Sequence, residues 1–337
     1  MNVFRKNLTL SLTAFAALAA LSGCGGAVPF DDDGLAPVEF SIGEPATRST
    51  LQNESAVGHW SLFVFRSEDN GLELSATSSD GGSITRKLQL DKTYRIYAAA
   101  NTPSGFNAAS ISSESALFAY ASTLGDNASS LVMFGGGEYT IATGQTSQNI
   151  PVNRLACRLG VERVTVNMSE PYYASKTFVL KGIWPSNVYT GSALGDDHSA
   201  ATILSSGAGS WLNPMGTASW DAVTGIDRTI AQGGSYDANC YFYAYPNVLD
   251  SAYDNHDATW SPRCTRIVIH ATIDGVDNYY LVTIPSMVRN NSYVVTTCTI
   301  TKPGSRDPEI PTDGAIEVTF STDTDGWDGP VEVSEES

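Results

Sequence analysis

Apolar and polar residues alternate with a period of two along much of the chain. This is the spacing at which a strand puts its apolar side chains on one face. Val38-Glu39-Phe40-Ser41-Ile42 alternates strictly, and Trp60 to Phe65 is a denser apolar run. Ile84 to Leu90 and Tyr94 to Ala100 read as two further strands, with Asp91-Lys92-Thr93 between them as a hairpin turn. Glu114 to Ala121 is the best helix candidate. Ser112 or Ser113 can cap it, and Glu114 falls in the first turn, where the helix dipole favours an acid.

Leu155, Cys157, Leu159 and Val161 hold one phase of alternation, and Val164 and Val166 hold the other. Such a switch requires a bulge or a strand passing between sheets or domains. A domain boundary is expected near Asn153. Downstream, Thr177 to Val188, Cys240 to Tyr245, Arg263 to Thr272, Tyr279 to Ile284 and Ser292 to Thr301 read as strands. Asp274-Gly275 is a strong hairpin signal. Residues 191–217, rich in Ser, Ala and Gly, read as a long surface excursion. Many short strands with turns between them predict an all-β chain with minor α content, built as β-sandwiches. No internal repeat is visible.

At 337 residues the chain is long enough for two domains. With 36 acidic and 19 basic side chains its formal charge is −17. It has no basic surplus to displace counterions, so nucleic acid is not an expected partner. Arg5 and Lys6 precede the apolar run Leu8 to Leu21, too short to span a bilayer comfortably, which ends in Leu21-Ser22-Gly23-Cys24. That ending resembles the lipobox of bacterial lipoproteins, in which the Cys is lipidated and becomes the first residue. Asp31-Asp32-Asp33 follows closely, and reads as a surface-export signal or as a solvated acidic tether. An exported chain meets an oxidising compartment, so Cys157, Cys240, Cys264 and Cys298 are free to form disulfides, although their spacing fits no zinc pattern. Cys298, sharing a strand face with Val294, Thr296 and Ile300, is expected to be a buried core thiol.

The chain carries no HExxH, GxSxG, Walker loop or GxGxxG. Gly135-Gly136-Gly137 lacks the Lys and helix of a phosphate loop and reads as a turn. Asp196-Asp197-His198 and Asp254-Asn255-His256-Asp257 read as solvated loops without a second ligand cluster. A calcium loop begun at Asp323 fails at its twelfth position, Ser334. No catalytic residue, metal site or cofactor is therefore expected. Six Trp and 15 Tyr leave room for a carbohydrate platform, although most are expected in the core.

The two ends of the chain are alike. Val38-Glu39-Phe40-Ser41-Ile42 and Ile316-Glu317-Val318-Thr319-Phe320 both read apolar, polar, apolar, hydroxyl, apolar. Two such strands can fill one groove. Thr47-Arg48-Ser49 lies in a polar stretch between the first strand and the body, suited to proteolysis. Cleavage after Arg48 would release Val38, Phe40 and Ile42 and leave open a slot that Ile316, Val318 and Phe320 match in spacing.

Several segments in order resemble the fimbrillin family, subunits of protease-processed fimbriae (type V pili). They are the lipobox at Cys24, Ala46-Thr47-Arg48, Tyr94 to Asn101-Thr102, Asn153 to Arg158, Arg289 to Tyr293, and Ile300-Thr301-Lys302-Pro303-Gly304-Ser305, followed by a tail with Trp327. The family commonly has Gly where Lys302 stands. The resemblance implies two β-sandwich domains of transthyretin-like or Greek-key type. It divides the chain into a signal peptide (1–23), a lipidated propeptide with a removable strand (24–48), sandwiches at 49–153 and 154–314, and a donor-strand tail (315–337). It implies an outer-membrane lipoprotein precursor, lipidated at Cys24 and processed between Arg48 and Ser49 by an Arg-specific protease, then a surface fimbria. The implied partners are other fimbrial subunits, that protease, the outer membrane through the lipid, and a host or bacterial surface ligand. The alternatives are a surface-anchored glycan-binding lipoprotein and a fimbrial tip or anchor subunit. A hydrolase is disfavoured by the missing motifs.

Overall fold

The computed structural model describes residues 34–43, 54–127, 129–189, 191–195, 203–204, 225–247, 264–284, 286–308, 310, 312–323 and 331–333. The chain is all-β, and its main sheets divide it into two halves.

The N-terminal half holds β1 (Leu35–Gly43), β2 (Trp60–Arg66), β3 (Leu72–Ser78), β4 (Ile84–Gln89), β5 (Lys92–Ala100), β6 (Ala121–Thr123), β7 (Met133–Ile141), β8 (Ser147–Pro151) and β9 (Asn153–Arg154). One sheet has the order β3-β2-β5-β7-β9 and the other β4-β1-β8. Their apolar side chains meet in a core containing Val38, Phe40, Trp60, Leu62, Ile84, Ile96 and Ile150. Ile84 and Leu88 are buried on one face of β4 and Thr85 and Lys87 point the other way, while Arg86, on the face of Ile84 and Leu88, is exposed.

The β4–β5 turn departs from expectation. These strands are not a hairpin, because β4 pairs with β1 whereas β5 pairs with β2 and β7. The chain crosses between sheets at Asp91, whose φ of 57° makes the corner. The Asp91 carboxylate accepts hydrogen bonds from the backbone N–H and hydroxyl of Thr143, at 2.9 and 2.8 Å, fixing the corner to the β7–β8 connection. Gly135-Gly136-Gly137 is likewise not a turn but lies within β7. A Cβ on Gly135 would stand 2.2 Å from the Pro151 carbonyl oxygen, and one on Gly136 2.1 Å from that of Ile96. Close backbone approach, rather than chain reversal, requires these two glycines.

Helix α1 (Glu114–Phe118) is shorter than expected, because the chain enters β6 at Ala121. Ser113 caps it through a hydrogen bond from the Ala116 N–H, and Glu114 lies in the first turn.

The C-terminal half holds β10 (Cys157–Val166), α2 (Pro171–Ala174), β11 (Phe178–Ser186), β12 (Val188–Tyr189), β13 (Gly191–Ala193), β14 (Ile203–Leu204), β15 (Arg228–Ile230), β16 (Ser235–Ala244), β17 (Thr265–Ile273), β18 (Val276–Ile284), β19 (Ser292–Ile300), β20 (Ile316–Asp323) and β21 (Val331–Val333). Its sheets run β16-β10-β19-β20-β21 and β15-β11-β17-β18. The phase switch in β10 is a bulge between Val161 and Arg163 against β16. Asp274 and Gly275, at φ 49° and 80°, make the β17–β18 hairpin. Cys298 is fully buried, but a bulge between Val295 and Thr297 brings Val295 to the wholly buried side in place of Thr296. Residues 191–194 are not a surface excursion: Gly191, Ser192 and Leu194 are buried, and β13 pairs with β6. Most of 196–217 lies outside the described residues, as do Asp196-Asp197-His198 and Asp254 to Asp257.

Candidate assembly site

Strand β1 is the middle strand of its sheet rather than an edge. It runs antiparallel to β4, with Val38 opposite Arg86 and Phe40 opposite Ile84, and parallel to β8, with Phe40 opposite Gln148. Its burial alternates. Ala36 is 3% exposed, Val38 and Phe40 are wholly buried, Ile42 is half-buried, and Glu39 and Ser41 face outward. Full burial of Val38 and Phe40 contributes on the order of 3–6 kcal/mol. The outward side is held lightly, by Glu39 accepting a 2.5 Å hydrogen bond from Ser83. Loss of β1 would open a slot with an unpaired strand on either side, a template for an incoming strand.

The tail lies elsewhere. Strand β20 pairs with β19, Val318 standing opposite Cys298 and Ile316 opposite Ile300, and β21 folds back on β20. Ile316 and Val318 are half-buried against the C-terminal core, while Glu317 and Thr319 are exposed. The tail segment thus packs on its own half, in a sheet separate from β1. Cys24, Arg48 and Ser49 lie outside the described residues.

A buried polar junction joins the halves, and sequence reasoning assigned it no role. Glu54 is 2% exposed. Its Oε1 accepts from the Tyr243 hydroxyl at 2.8 Å, and its Oε2 pairs with Arg158 Nη1 at 3.2 Å. Burial, the largest influence, lifts the Glu54 carboxyl above the ordinary carboxylate range, and Arg158 and Tyr243 oppose it. Burial also raises Tyr243, with the Glu54 charge adding to it. Arg154, wholly buried, donates from Nε to the Glu54 carbonyl at 2.8 Å and from Nη1 to Asn290 Oδ1 at 3.0 Å. Asn290 adopts φ 62°, which an asparagine tolerates better than most residues.

A second junction centres on Tyr245, whose hydroxyl lies 2.8 Å from Ser122 Oγ and accepts from Asn127 Nδ2 at 2.8 Å. Burial pushes its phenol up to about 12. Arg154 and Asn290 stand in two of the segments that carry the fimbrillin resemblance. Only a buried charge pairing could have marked them, and single-sequence pattern does not reveal it.

Among the described residues no group of three or more His, Cys, Asp or Glu is placed to hold a metal ion. Cys240 and Cys298 form no disulfide. Burial pushes the Cys298 thiol up to about 12 and that of Cys240 to about 11.

No family model matches the chain, and no curated protein matches it by sequence. Solved structures do match in fold. A protein of Parabacteroides distasonis assigned to cell adhesion superposes with a TM-score of 0.61 at 15% identity, over 88% of this chain and 97% of that one. A Bacteroides eggerthii protein with the same assignment gives 0.59 at 19% identity, over 90% and 98%. A fimbrilin of Porphyromonas gingivalis gives 0.55 at 16% identity, over 89% and 98%. At these identities the likeness concerns architecture, and it runs nearly end to end: the chain has the fold of fimbrilins and of proteins assigned to cell adhesion.

Proposed function

We propose that the chain is a structural subunit of a cell-surface fimbria that supports adhesion and polymerises by protease-triggered donor-strand exchange. The observation that carries this is the position of β1. It is a central strand with Val38 and Phe40 wholly buried, yet it belongs to a short N-terminal segment that precedes Arg48. A strand so placed completes the fold and is removable by one cut. Lipidation at Cys24 carries the precursor to the outer membrane, and an Arg-specific protease cuts between Arg48 and Ser49. The tail bearing Ile316, Val318 and Phe320 from a neighbouring subunit, the same or a related one, then fills the slot. Strand addition gives main-chain hydrogen bonds and side-chain pockets together. The fold shared with a fimbrilin supports this reading. The described part of the tail favours a shaft subunit over a tip.

Intact-mass analysis of sheared surface filaments tests it. Subunits are expected to begin at Ser49, to carry 31 acidic and 16 basic residues, and to lack Cys24. Retention of residues 24–48 in filaments would overturn the proposal. Arg48→Ala is expected to leave a folded, lipid-anchored monomer, and Cys24→Ser to block lipid labelling and surface delivery without unfolding the chain.

A second reading, a surface glycan-binding lipoprotein, has one observation behind it. A cavity of about 570 Å³ is lined by His59, Thr77, Thr102, Phe106 and Asp126, among others. The Asp126 carboxylate there already accepts from the Thr123 N–H and hydroxyl, at 2.6 and 2.9 Å. Intact Cys24-anchored protein binding a polysaccharide without processing at Arg48 would favour this reading.

A further inference from the structure

The slot held by β1 is not uniform along its length. Its inward positions run small at Ala36, medium at Val38, large at Phe40 and partly open at Ile42. Phe40 is among the largest wholly buried side chains of the molecule. A replacement strand is therefore constrained residue by residue, and the tail can be laid into the slot in more than one register.

Matching the acids, Glu317 over Glu39, sets Ile316 in the place of Val38, Val318 in that of Phe40 and Phe320 in that of Ile42. A valine would then leave much of the aromatic pocket empty, and a phenylalanine would go to the partly open end. Cavities left by large-to-small exchange in a core are costly. Sliding the tail by two residues keeps every inward position inward. Val318 then meets the place of Val38, Phe320 that of Phe40, and Ser321 that of Ser41, because Val-Glu-Phe-Ser and Val-Thr-Phe-Ser differ only at an outward position.

The shift has three costs, of which the first is Thr322 at the place of Ile42, a half-buried position where its hydroxyl can reach water. The Glu39–Ser83 hydrogen bond is lost, but it is exposed and so of small weight. Ile316 comes to the place of Ala36, where overfilling would be expected. There, however, β1 is paired with β4 alone, since its pairing with β8 begins at Glu39. A strand held on one side at that end can splay to fit the larger side chain. Reversing the tail instead, with Phe320 kept over Phe40, would put Thr322 at the wholly buried place of Val38 and bury its hydroxyl.

Resting on the donor-strand reading above, we infer that a second copy's tail enters antiparallel to β4 and parallel to β8, with Val318 and Phe320 in the pockets of Val38 and Phe40. Phe320 is then the residue that sets the register. The stored form on β19 leaves Val318 half-buried, whereas the Val38 pocket is closed to solvent, so the exchange gains apolar burial.

Outward positions report the register without touching the core. Thr85 stands opposite Glu39 across β1–β4, and Thr85, Glu317 and Thr319 are all exposed. Full-length precursors carrying Thr85→Cys with Thr319→Cys, or Thr85→Cys with Glu317→Cys, are processed with a trypsin-like protease, allowed to assemble and mildly oxidised. The inferred register predicts a ladder of disulfide-linked subunits from the Thr319 pair, and none from the Glu317 pair beyond the single-cysteine controls. A ladder from the Glu317 pair alone would overturn the register while leaving strand exchange standing. Filaments that form with no ladder from either pair would overturn the register, and filaments that also form from chains ending at Gly314 would overturn the donor-strand reading with it.

Discussion

Arg158 Nη1 lies 3.2 Å from Oε2 of Glu54, the two side chains 12% and 1% exposed, and the pair ties the N-terminal half to the first strand of the C-terminal half. Glu54 stands six residues after Arg48. Arg154 holds the same residue by its backbone carbonyl. The chain is thus anchored just downstream of the proposed cut. Removal of β1 would leave this anchor in place, so the junction between the halves need not loosen when the slot opens.

Glu54→Ala leaves the Arg158 guanidinium and Tyr243 hydroxyl without their buried acceptor. It is expected to destabilise the precursor by about 3–5 kcal/mol, as when one partner of a buried pair is removed. Urea denaturation followed by tryptophan fluorescence measures this. Glu54→Gln is expected to cost less, since the amide oxygen can still accept.

The same residue gives a pH dependence. Burial raises the folded-state carboxyl above its ordinary value of 4.5, so the folded chain holds that proton more tightly than the unfolded chain does. The contribution is fully present below about pH 4.5 and is lost as pH rises through the raised value. The stability of the parent relative to Glu54→Gln should fall over that window and then level off. A difference that stays flat between pH 4 and 8 would show that the carboxyl is not raised.

Gly136→Ala should destabilise the N-terminal half by more than about 1 kcal/mol, because φ 139° is strained for alanine and the new methyl meets the Ile96 carbonyl. Gly137→Ala is the control: nothing lies within 4 Å of its added Cβ. Thermal unfolding of the two variants side by side separates the effects. If both behave alike, the close approach along β7 is not what requires glycine.

These glycines also show where the sequence became illegible. Three consecutive glycines have the local signature of a turn, and only the neighbouring strands reveal that β7 needs two of them for close packing. The β4–β5 corner misled for a similar reason, since a polar tripeptide between two strands looks the same whether the strands pair or part into two sheets. By contrast β1, β2, β10, β17 and β18 were readable, because alternation, a phase switch and Asp274-Gly275 are local consequences of burial and turn geometry. The β1 pattern marked a strand with one buried face, but not that the strand is central, which depends on residues about fifty to a hundred positions away. The Glu54 junction left no pattern, being five polar residues, Glu54, Arg154, Arg158, Tyr243 and Asn290, brought together by the fold.

Phe40→Ala separates precursor from filament. In the precursor it removes a wholly buried ring from the middle of a sheet, and a loss of about 3–5 kcal/mol is expected. Filaments whose subunits begin at Ser49 no longer contain residue 40. Once processed, variant and parent filaments should melt alike, as read by loss of high-mass species on heating. A filament weakened by Phe40→Ala would mean that β1 remains in the assembled subunit.

The tail gives the sharpest test of assembly. Deletion of residues 315–337 removes β20 and β21, which lie at the outer side of their sheet beyond β19, so β19 keeps its pairing with β10 and becomes the edge strand. The truncated chain should fold, be cleaved at Arg48 and expose its slot, yet fail to extend filaments because it has no strand to donate. It should still accept one, so adding it to parent subunits should terminate growing chains in proportion to its share. Val318→Asp should act similarly by a different route. On β19 that position is half-buried and the carboxylate can reach water, whereas in a closed pocket it would be buried without a partner. The precursor should therefore tolerate the substitution far better than the polymer does, read as near-normal urea stability with loss of filaments by sedimentation. A chain ending at Gly314 that still polymerised would show that the exchanged strand comes from elsewhere, with the new N-terminus after Arg48 the next segment to test.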